Sequence, residues 1–251
     1  MHSRILSKWN LGVWIAFFML LSTTLSKAQS GDSTSLMPPQ VAGMLNFPKQ
    51  FFFFDFTQNT WLNAPEGVET KFISGGMNIS FLYEFNVISS HLGIAPGIGY
   101  SVAGVKSNSV FDYQYNNDFT EIVYTDLKLY GDSGGIIKSK MSVSYIEIPL
   151  EVHIHLKPNE RGKSFLIAPG FRAGLRVGDF WKLKYHQTFP GYDKAKFYNI
   201  EHIESFRYGL SLRLMYYKFG LYTFYQLNHL FEEGKGPEIT PFSVGITVSP
   251  F

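Results

Sequence analysis

The segment SYIEIPLEVHIHL, residues 144–156, alternates between two kinds of side chain along its whole length. The even-numbered positions from Ile146 to Leu156 are all aliphatic. The odd-numbered positions are mostly polar, namely Tyr145, Glu147, Pro149, Glu151, His153 and His155. A period of two is typical of a β-strand that has one apolar face. That face must contact either a protein core or a lipid bilayer.

The same alternation recurs along the chain, and it predicts eight strands, at residues 50–57, 72–87, 91–106, 141–156, 164–177, 203–216, 219–229 and 241–251. The connections between these strands alternate between long and short. Short turns at one end and long loops at the other are typical of a transmembrane barrel, in which the long loops face the outside. The sequence therefore predicts an all-β protein, an antiparallel up-and-down transmembrane β-barrel of about eight strands.

The composition favours a membrane barrel over a soluble one. Charged residues make up 17% of the chain, against about 25% in soluble domains. The lysines fall at strand ends or in connections, as expected if the strand centres lie in hydrocarbon, where a charge facing lipid costs roughly 2–4 kcal/mol. A soluble, lipocalin-like barrel with the apolar face inside is the alternative. The formal net charge of +2, without a basic run, argues against nucleic acid as a partner.

The first residues indicate export. Arg4 and Lys8 precede the apolar stretch 11–21, and Ser26 and Ala28 fit a small-x-small cleavage site. A retained membrane anchor is less favoured, because the apolar run is shorter than the ~20 residues that a spanning helix needs. The predicted segments are a signal peptide at 1–28, an N-terminal lead at 29–48 and an outer-membrane β-barrel at 49–251. The expected location is the bacterial outer membrane, with outer-membrane lipid as a partner.

The motif YIEIPL, Tyr145–Leu150, and the glycine-rich segments Gly93–Gly104 and Phe165–Leu175 resemble the PorT-like outer-membrane β-barrel family of bacteria that use type IX secretion. The resemblance covers about residues 51–251. It implies a role in cell-envelope protein export or assembly, with other envelope or secretion proteins as partners.

Charged side chains collect on the face that we assign to the lumen: Glu147, Glu151, His153, His155, Arg172, Arg176, Arg207 and Arg213. Carboxylates opposite guanidinium groups can form bidentate pairs in a narrow interior, and we expect a salt-bridged plug. A gated or ligand-responsive core is the alternative. His153 and His155 have a spacing compatible with a metal, but no further ligand is placed by the sequence, so we predict no metal and no cofactor. No spacing of serine and histidine indicates a catalytic triad, and we predict no enzyme activity.

Aromatic side chains in the long connections are candidates for recognition at the cell surface: Phe111, Tyr113, Tyr115, Trp181, Tyr185 and Tyr192. Some of these rings could instead extend strands or form the girdle at the membrane interface. Three functions remain open: a component of protein export, a binding or adhesion barrel, and a soluble carrier. A wide diffusion pore is disfavoured, because about eight strands leave a filled interior.

Overall fold

A computed structural model describes residues 49–89, 91–130, 135–156, 164–186 and 193–250. The predicted signal peptide and N-terminal lead lie outside the described residues. The described residues form eleven strands: β1 (Lys49–Leu62), β2 (Gly75–Ser89), β3 (Leu92–Ser107), β4 (Ser109–Tyr115), β5 (Ile122–Leu129), β6 (Ile136–His155), β7 (Phe165–Tyr185), β8 (Lys194–Tyr198), β9 (Phe206–Tyr216), β10 (Phe219–Gln226) and β11 (Thr240–Val248). Within them, no helix has the length and apolarity needed to cross a membrane.

Eight of these strands close into an antiparallel barrel. The order around the ring is β1, β2, β3, β6, β7, β9, β10 and β11, and β11 pairs with β1 to complete it. Because every backbone group of a closed ring pairs with a neighbour, the barrel has no open edge that lipid would leave unsatisfied. The predicted fold, an eight-stranded antiparallel barrel, is confirmed.

The remaining three strands lie in connections that were expected to be loops. Strands β4 and β5 form a hairpin between β3 and β6, and β8 pairs with β7 from Phe180 to Lys184. Strands β6 and β7 are 20 and 21 residues long, so they continue well past the aliphatic segment that predicted them. The physical reason is that their alternation persists, now with Met141, Val143, Trp181 and Leu183 turned into an apolar core.

The aliphatic side chains face outward around the whole barrel. In β6, Ile146 is 49% exposed and Ile148 is 66% exposed, whereas Glu147 between them is 1% exposed. Complete burial of one such aliphatic side chain is worth about 1.5–3 kcal/mol, so an outer surface covered with them requires lipid. A soluble carrier needs the opposite arrangement, and the structure excludes that alternative.

The interior contains two apolar layers with charged groups between them. One layer includes Phe53, Leu82, Leu166 and Met215 and lies near the end of the barrel with short turns. The other is larger, includes Trp61, Val143, Trp181 and Phe231, and continues into the connections at the opposite end. By the usual orientation of such barrels, the end with short turns faces the periplasm and the other faces outside.

Candidate functional site

Glycines and other small residues make room for long charged side chains in the narrow lumen. Glu147 pairs in register with Gly99 on one side and Gly174 on the other, and Gly170 lies beside Glu151. A Cβ atom at Gly174 would lie 2.9 Å from Glu147 Cγ, and one at Gly170 would lie 2.8 Å from Glu151 Cγ. The glycine-rich strands therefore place the carboxylates at the barrel centre.

Glu147 is held by two arginines. Arg207 donates from Nε to Glu147 Oε1 at 2.8 Å, with a second short contact from Nη2, and Arg172 donates from Nη1 to Oε2 at 3.2 Å. Hydroxyl groups complete the set, since Ser101 Oγ accepts from Arg207 at 2.8 Å and Ser80 Oγ accepts from Arg172 at 2.9 Å. The carboxylate is thus fully enclosed by charge-assisted hydrogen bonds.

Arg213 joins two further carboxylates. Its Nη1 donates to both oxygens of Glu151 at 2.5 Å, and its Nη2 donates to Asp55 Oδ2 at 3.0 Å. Arg172 links the two halves of the network, because its Nη2 lies 3.6 Å from Glu151 Oε1 and 3.9 Å from Asp55 Oδ2. The guanidinium of Arg213 also stacks 3.9 Å from the centre of the Phe53 ring. The pairs form one continuous network across the lumen.

A histidine cluster continues the network toward the periplasmic end. Oε2 of Glu84 lies 2.6 Å from His153 Nδ1 and 2.8 Å from His155 Nε2, and His153 Nε2 lies 3.4 Å from Glu151 Oε2. One ligand atom from each of Glu84, His153 and His155 lies within 4.8 Å of the others. Two histidines and a glutamate are a donor set that zinc accepts, so this is the place where the lumen could hold a metal ion. The hydrogen bonds already satisfy both ring nitrogens that face Glu84.

The structure brings together seven of the eight predicted polar lumen residues: Glu147, Glu151, His153, His155, Arg172, Arg207 and Arg213. Arg176 lies apart. It donates to Asp179 Oδ2 at 3.0 Å and to the carbonyl of Ile200, and its side chain is 22% exposed. It belongs to the outer end of the barrel.

The network also contains two acidic residues that are not among the predicted lumen residues, Asp55 and Glu84. Both are buried, and each accepts from a partner on a distant strand. The sequence does contain a pattern that places Asp55 in the lumen, because Asp55 alternates with Phe54 and Phe56, which lie on the outward face of β1. Neither lies within residues 144–156, whose alternation predicts the lumen face.

The aromatic candidates for recognition separate into buried and exposed rings. Phe111 and Trp181 are 7% exposed and pack edge to face at 5.0 Å, with Tyr113 and Tyr185 partly buried against the same core. Tyr115 is 48% exposed at the end of β4. Tyr192 lies outside the described residues.

Packing of both apolar layers around the network fills the barrel. The cavity between the network and the outer apolar layer, bounded by Tyr145, Arg207 and Phe224, has a volume of about 20 Å³. This is space for about one water molecule. In the described lumen, the charged groups are engaged with one another and the apolar side chains pack above and below them.

Comparison with known proteins gives a family for this chain. No curated protein matches the chain. One similar solved structure is that of Ail, the attachment invasion locus protein of Yersinia pestis, in complex with the heparin analogue sucrose octasulfate. Its sequence identity to this chain is 13% and the TM-score is 0.33, and the match covers 81% of this chain and 99% of Ail. The structure of Ail without that ligand has 13% identity, a TM-score of 0.32, and coverage of 80% and 97%. Residues 45–235 match the family described as outer membrane protein beta-barrel domain. With most of the chain matched and the closed barrel in place, this protein belongs to that family of outer-membrane β-barrels.

Proposed function

We propose that this protein is a non-enzymatic component of the bacterial cell envelope that acts by docking other proteins, and that it serves protein export of the type IX kind. The observation that carries the proposal is the filled lumen. An ionic network enclosed by two apolar layers leaves no room for a transported solute. The protein must then act through contacts that its surfaces make with other molecules.

The outer end supplies a surface suited to docking. The hairpin β4–β5 is fixed to the barrel by the contact of Phe111 with Trp181 and by the hydrogen bond from the Thr125 amide to the Lys235 carbonyl at 2.9 Å. A hairpin held in this way presents its tip in one orientation, which reduces the entropy lost on binding. We refer to the part of the barrel above the lipid-facing band, including β4, β5 and β8, as the outer cap.

Assignment to export is supported by the resemblance of the YIEIPL strand and its glycine-rich neighbours to PorT-like barrels. The test is a deletion strain of a bacterium that carries this protein and secretes type IX cargo. Loss of cargo from the medium, restored by the wild-type gene, would support the export role. Normal secretion together with normal assembly of the secretion machinery would contradict it.

A second candidate is binding or adhesion at the cell surface, and it is favoured by the tip of the β4–β5 hairpin. Tyr115 is 48% exposed and Phe119 is 80% exposed, with ring centres 6.3 Å apart. Exposed aromatic pairs are common anchors of protein interfaces. The variant Tyr115→Ser/Phe119→Ser removes both rings without touching the cap core, and Tyr217→Ser at the opposite end is the matched control. Loss of surface binding with intact secretion, for the tip variant only, would favour adhesion over export.

A further inference from the structure

Seven lysines form two rows across four neighbouring strands at the outer end of the barrel. Strand register places Lys106 opposite Lys140, Lys140 opposite Lys182, and Lys182 opposite Lys196. We call these four lysines the membrane-proximal row. Lys138, Lys184 and Lys194 are aligned in the same way one step farther out and form the distal row. Six of the seven line a single surface groove of about 430 Å³, and among the described residues they are its whole lining.

This arrangement is unfavourable unless an anion compensates for it. Like charges directly opposite one another on paired strands destabilise a sheet. Partial burial, and next the ammonium groups of Lys138 and Lys140, lower the pKa of Lys106. Within the described parts of the chain, none of the membrane-proximal lysines forms an ion pair with a carboxylate, whereas Lys128 pairs with Asp112 in the nearby hairpin. The register therefore concentrates positive charge in the membrane-proximal row that no carboxylate of the described residues pairs with.

The position of the rows indicates where the anion comes from. The lysines share the outward face of β6 and β7 with the aliphatic band. Between the two, one step below the membrane-proximal row, lie Phe180 and Tyr198, which pair in register. The Nζ atom of Lys196 lies 4.0 Å from the centre of the Phe180 ring and 4.4 Å from that of Tyr198. Aromatic rings at this level form the interfacial girdle of a membrane barrel, so the lysines lie at the height of lipid headgroups.

The length of the strand agrees with this height. About ten residues separate Ile154, at the periplasmic end of the lipid-facing face, from Ser144. At a rise of about 3.3 Å per residue and a tilt of about 40°, they span about 25 Å, which is the height of the apolar band in such barrels. Lys140 follows four residues beyond Ser144 on the same face. The membrane-proximal row thus lies just outside the hydrocarbon.

Apolar side chains beside the lysines favour a lipid over a soluble polyanion. Phe72 is 89% exposed and Ile73 is 70% exposed, and with Ile137 they line an adjacent groove that also contains Lys106 and Lys138. A soluble sulfated or phosphorylated polysaccharide has no apolar part that would contact these side chains. A membrane lipid with phosphates on its headgroup matches the lysines and the aliphatic band below them, because its phosphates meet the lysines while its acyl chains meet the band, and the apolar groove borders the same headgroup layer.

We propose that the two lysine rows bind the phosphate groups of the phosphorylated glycolipid, lipid A, in the outer leaflet of the outer membrane. The binding fixes the barrel's depth and rotation in the leaflet and neutralises the membrane-proximal row. This inference does not depend on the proposed role in export, since it concerns a lipid-facing surface and not the cap tip.

The test is titration of the folded full-length protein, in detergent micelles, with lipid A that carries both phosphates, followed by native mass spectrometry of bound lipid. The variant Lys140→Gln/Lys182→Gln should weaken the apparent affinity about 25-fold, since each lysine near an anionic lipid surface contributes roughly fivefold. The variant Lys138→Gln/Lys184→Gln tests the distal row in the same way. The matched control is Lys128→Gln/Lys235→Gln, which removes the same charge at the same end from lysines that already pair with carboxylates. Its affinity should stay near that of the wild type.

Two further binding measurements test whether the bound anion is the phosphate of a lipid or a soluble anion. Dephosphorylated lipid A should bind far more weakly than the phosphorylated form, and inorganic phosphate should compete only at high concentration. A sulfated polysaccharide that binds as well as lipid A, with no preference for phosphorylated lipid, would overturn the assignment to a lipid. Equal affinity of the row variants and the control would overturn the site itself. Heat-modifiable migration on gels verifies that every variant is folded.

Discussion

Replacement of Arg213 by methionine should destabilise the barrel strongly, because it removes the central cation from a buried network. Arg213 is 1% exposed and donates to both oxygens of Glu151 and to Asp55. In Arg213→Met, the cationic partners that the described residues leave to the two carboxylates are Arg172, at 3.6 and 3.9 Å, and for Glu151 also His153 at 3.4 Å. Breaking a buried ion pair by removing one partner costs about 3–5 kcal/mol. We expect a loss of that size in the free energy of unfolding.

The matched control is Arg176→Met. The Arg176 side chain is 22% exposed and pairs with one carboxylate, that of Asp179. Asp179 is buried but keeps the amide of Ile200 as a donor at 2.6 Å, and the Arg176 side chain is partly accessible to solvent. The control should therefore lose clearly less free energy of unfolding than Arg213→Met, which breaks contacts to two buried carboxylates. A third variant, Arg213→Met/Asp55→Asn/Glu151→Gln, removes the charges left behind and should recover part of the loss, since a buried pair replaced at both ends is much less costly than a broken one.

The assay is urea-dependent unfolding of the protein refolded into phospholipid vesicles, followed by tryptophan fluorescence and by heat-modifiable migration on gels. Agreement of the two probes verifies that a single transition is measured. A loss below about 1 kcal/mol for Arg213→Met, or a loss equal to that of Arg176→Met, would show that the network is not what holds the centre of the barrel, and would refute the argument from burial.

Three further predictions concern the cap, the lumen and conduction. Burial, and next the carboxylate of Glu201, raise the pKa of Tyr113 above its usual value near 10. The neutral phenol is therefore favoured in the folded protein, and the free energy of unfolding should fall as the pH rises above about 10. Alkaline unfolding, followed together with phenolate absorbance, should show this loss in the wild type and not in Tyr113→Phe. Gly170→Ala places a Cβ atom 2.8 Å from Glu151 Cγ and 2.9 Å from a backbone carbonyl, and should destabilise the barrel by about 1–3 kcal/mol. Gly178→Ala, which meets nothing within 4 Å, should change urea unfolding little, and equal effects of the two would contradict the close fit of the lumen. The wild-type barrel should not conduct ions across a planar bilayer, and steady single-channel currents would disprove the filled interior.

The sequence predicts the lumen face well, because side-chain direction in a strand depends only on whether a residue is odd or even within it. Glu147, Glu151, Arg172, Arg207 and Arg213 were all assigned to the interior in this way. The same rule failed to place Phe111 and Trp181 in a core, since the long connections carry no break in composition that separates an ordered hairpin from an open loop. Their burial follows from packing of the outer cap onto the barrel.

What the sequence determines by itself is the class of structure: alternation predicts the strands, their apolar face and the number that closes the ring, and the lengths of the connections predict the topology. What the tertiary structure decides is which side chains meet. Asp55 on β1 reaches Arg213 on β9 across the lumen, and lysines from β3, β6, β7 and β8 become neighbours only through strand register. Closure of the barrel brings together residues that are far apart in the chain, and because register is set by the whole ring of paired strands, no local pattern contains that information.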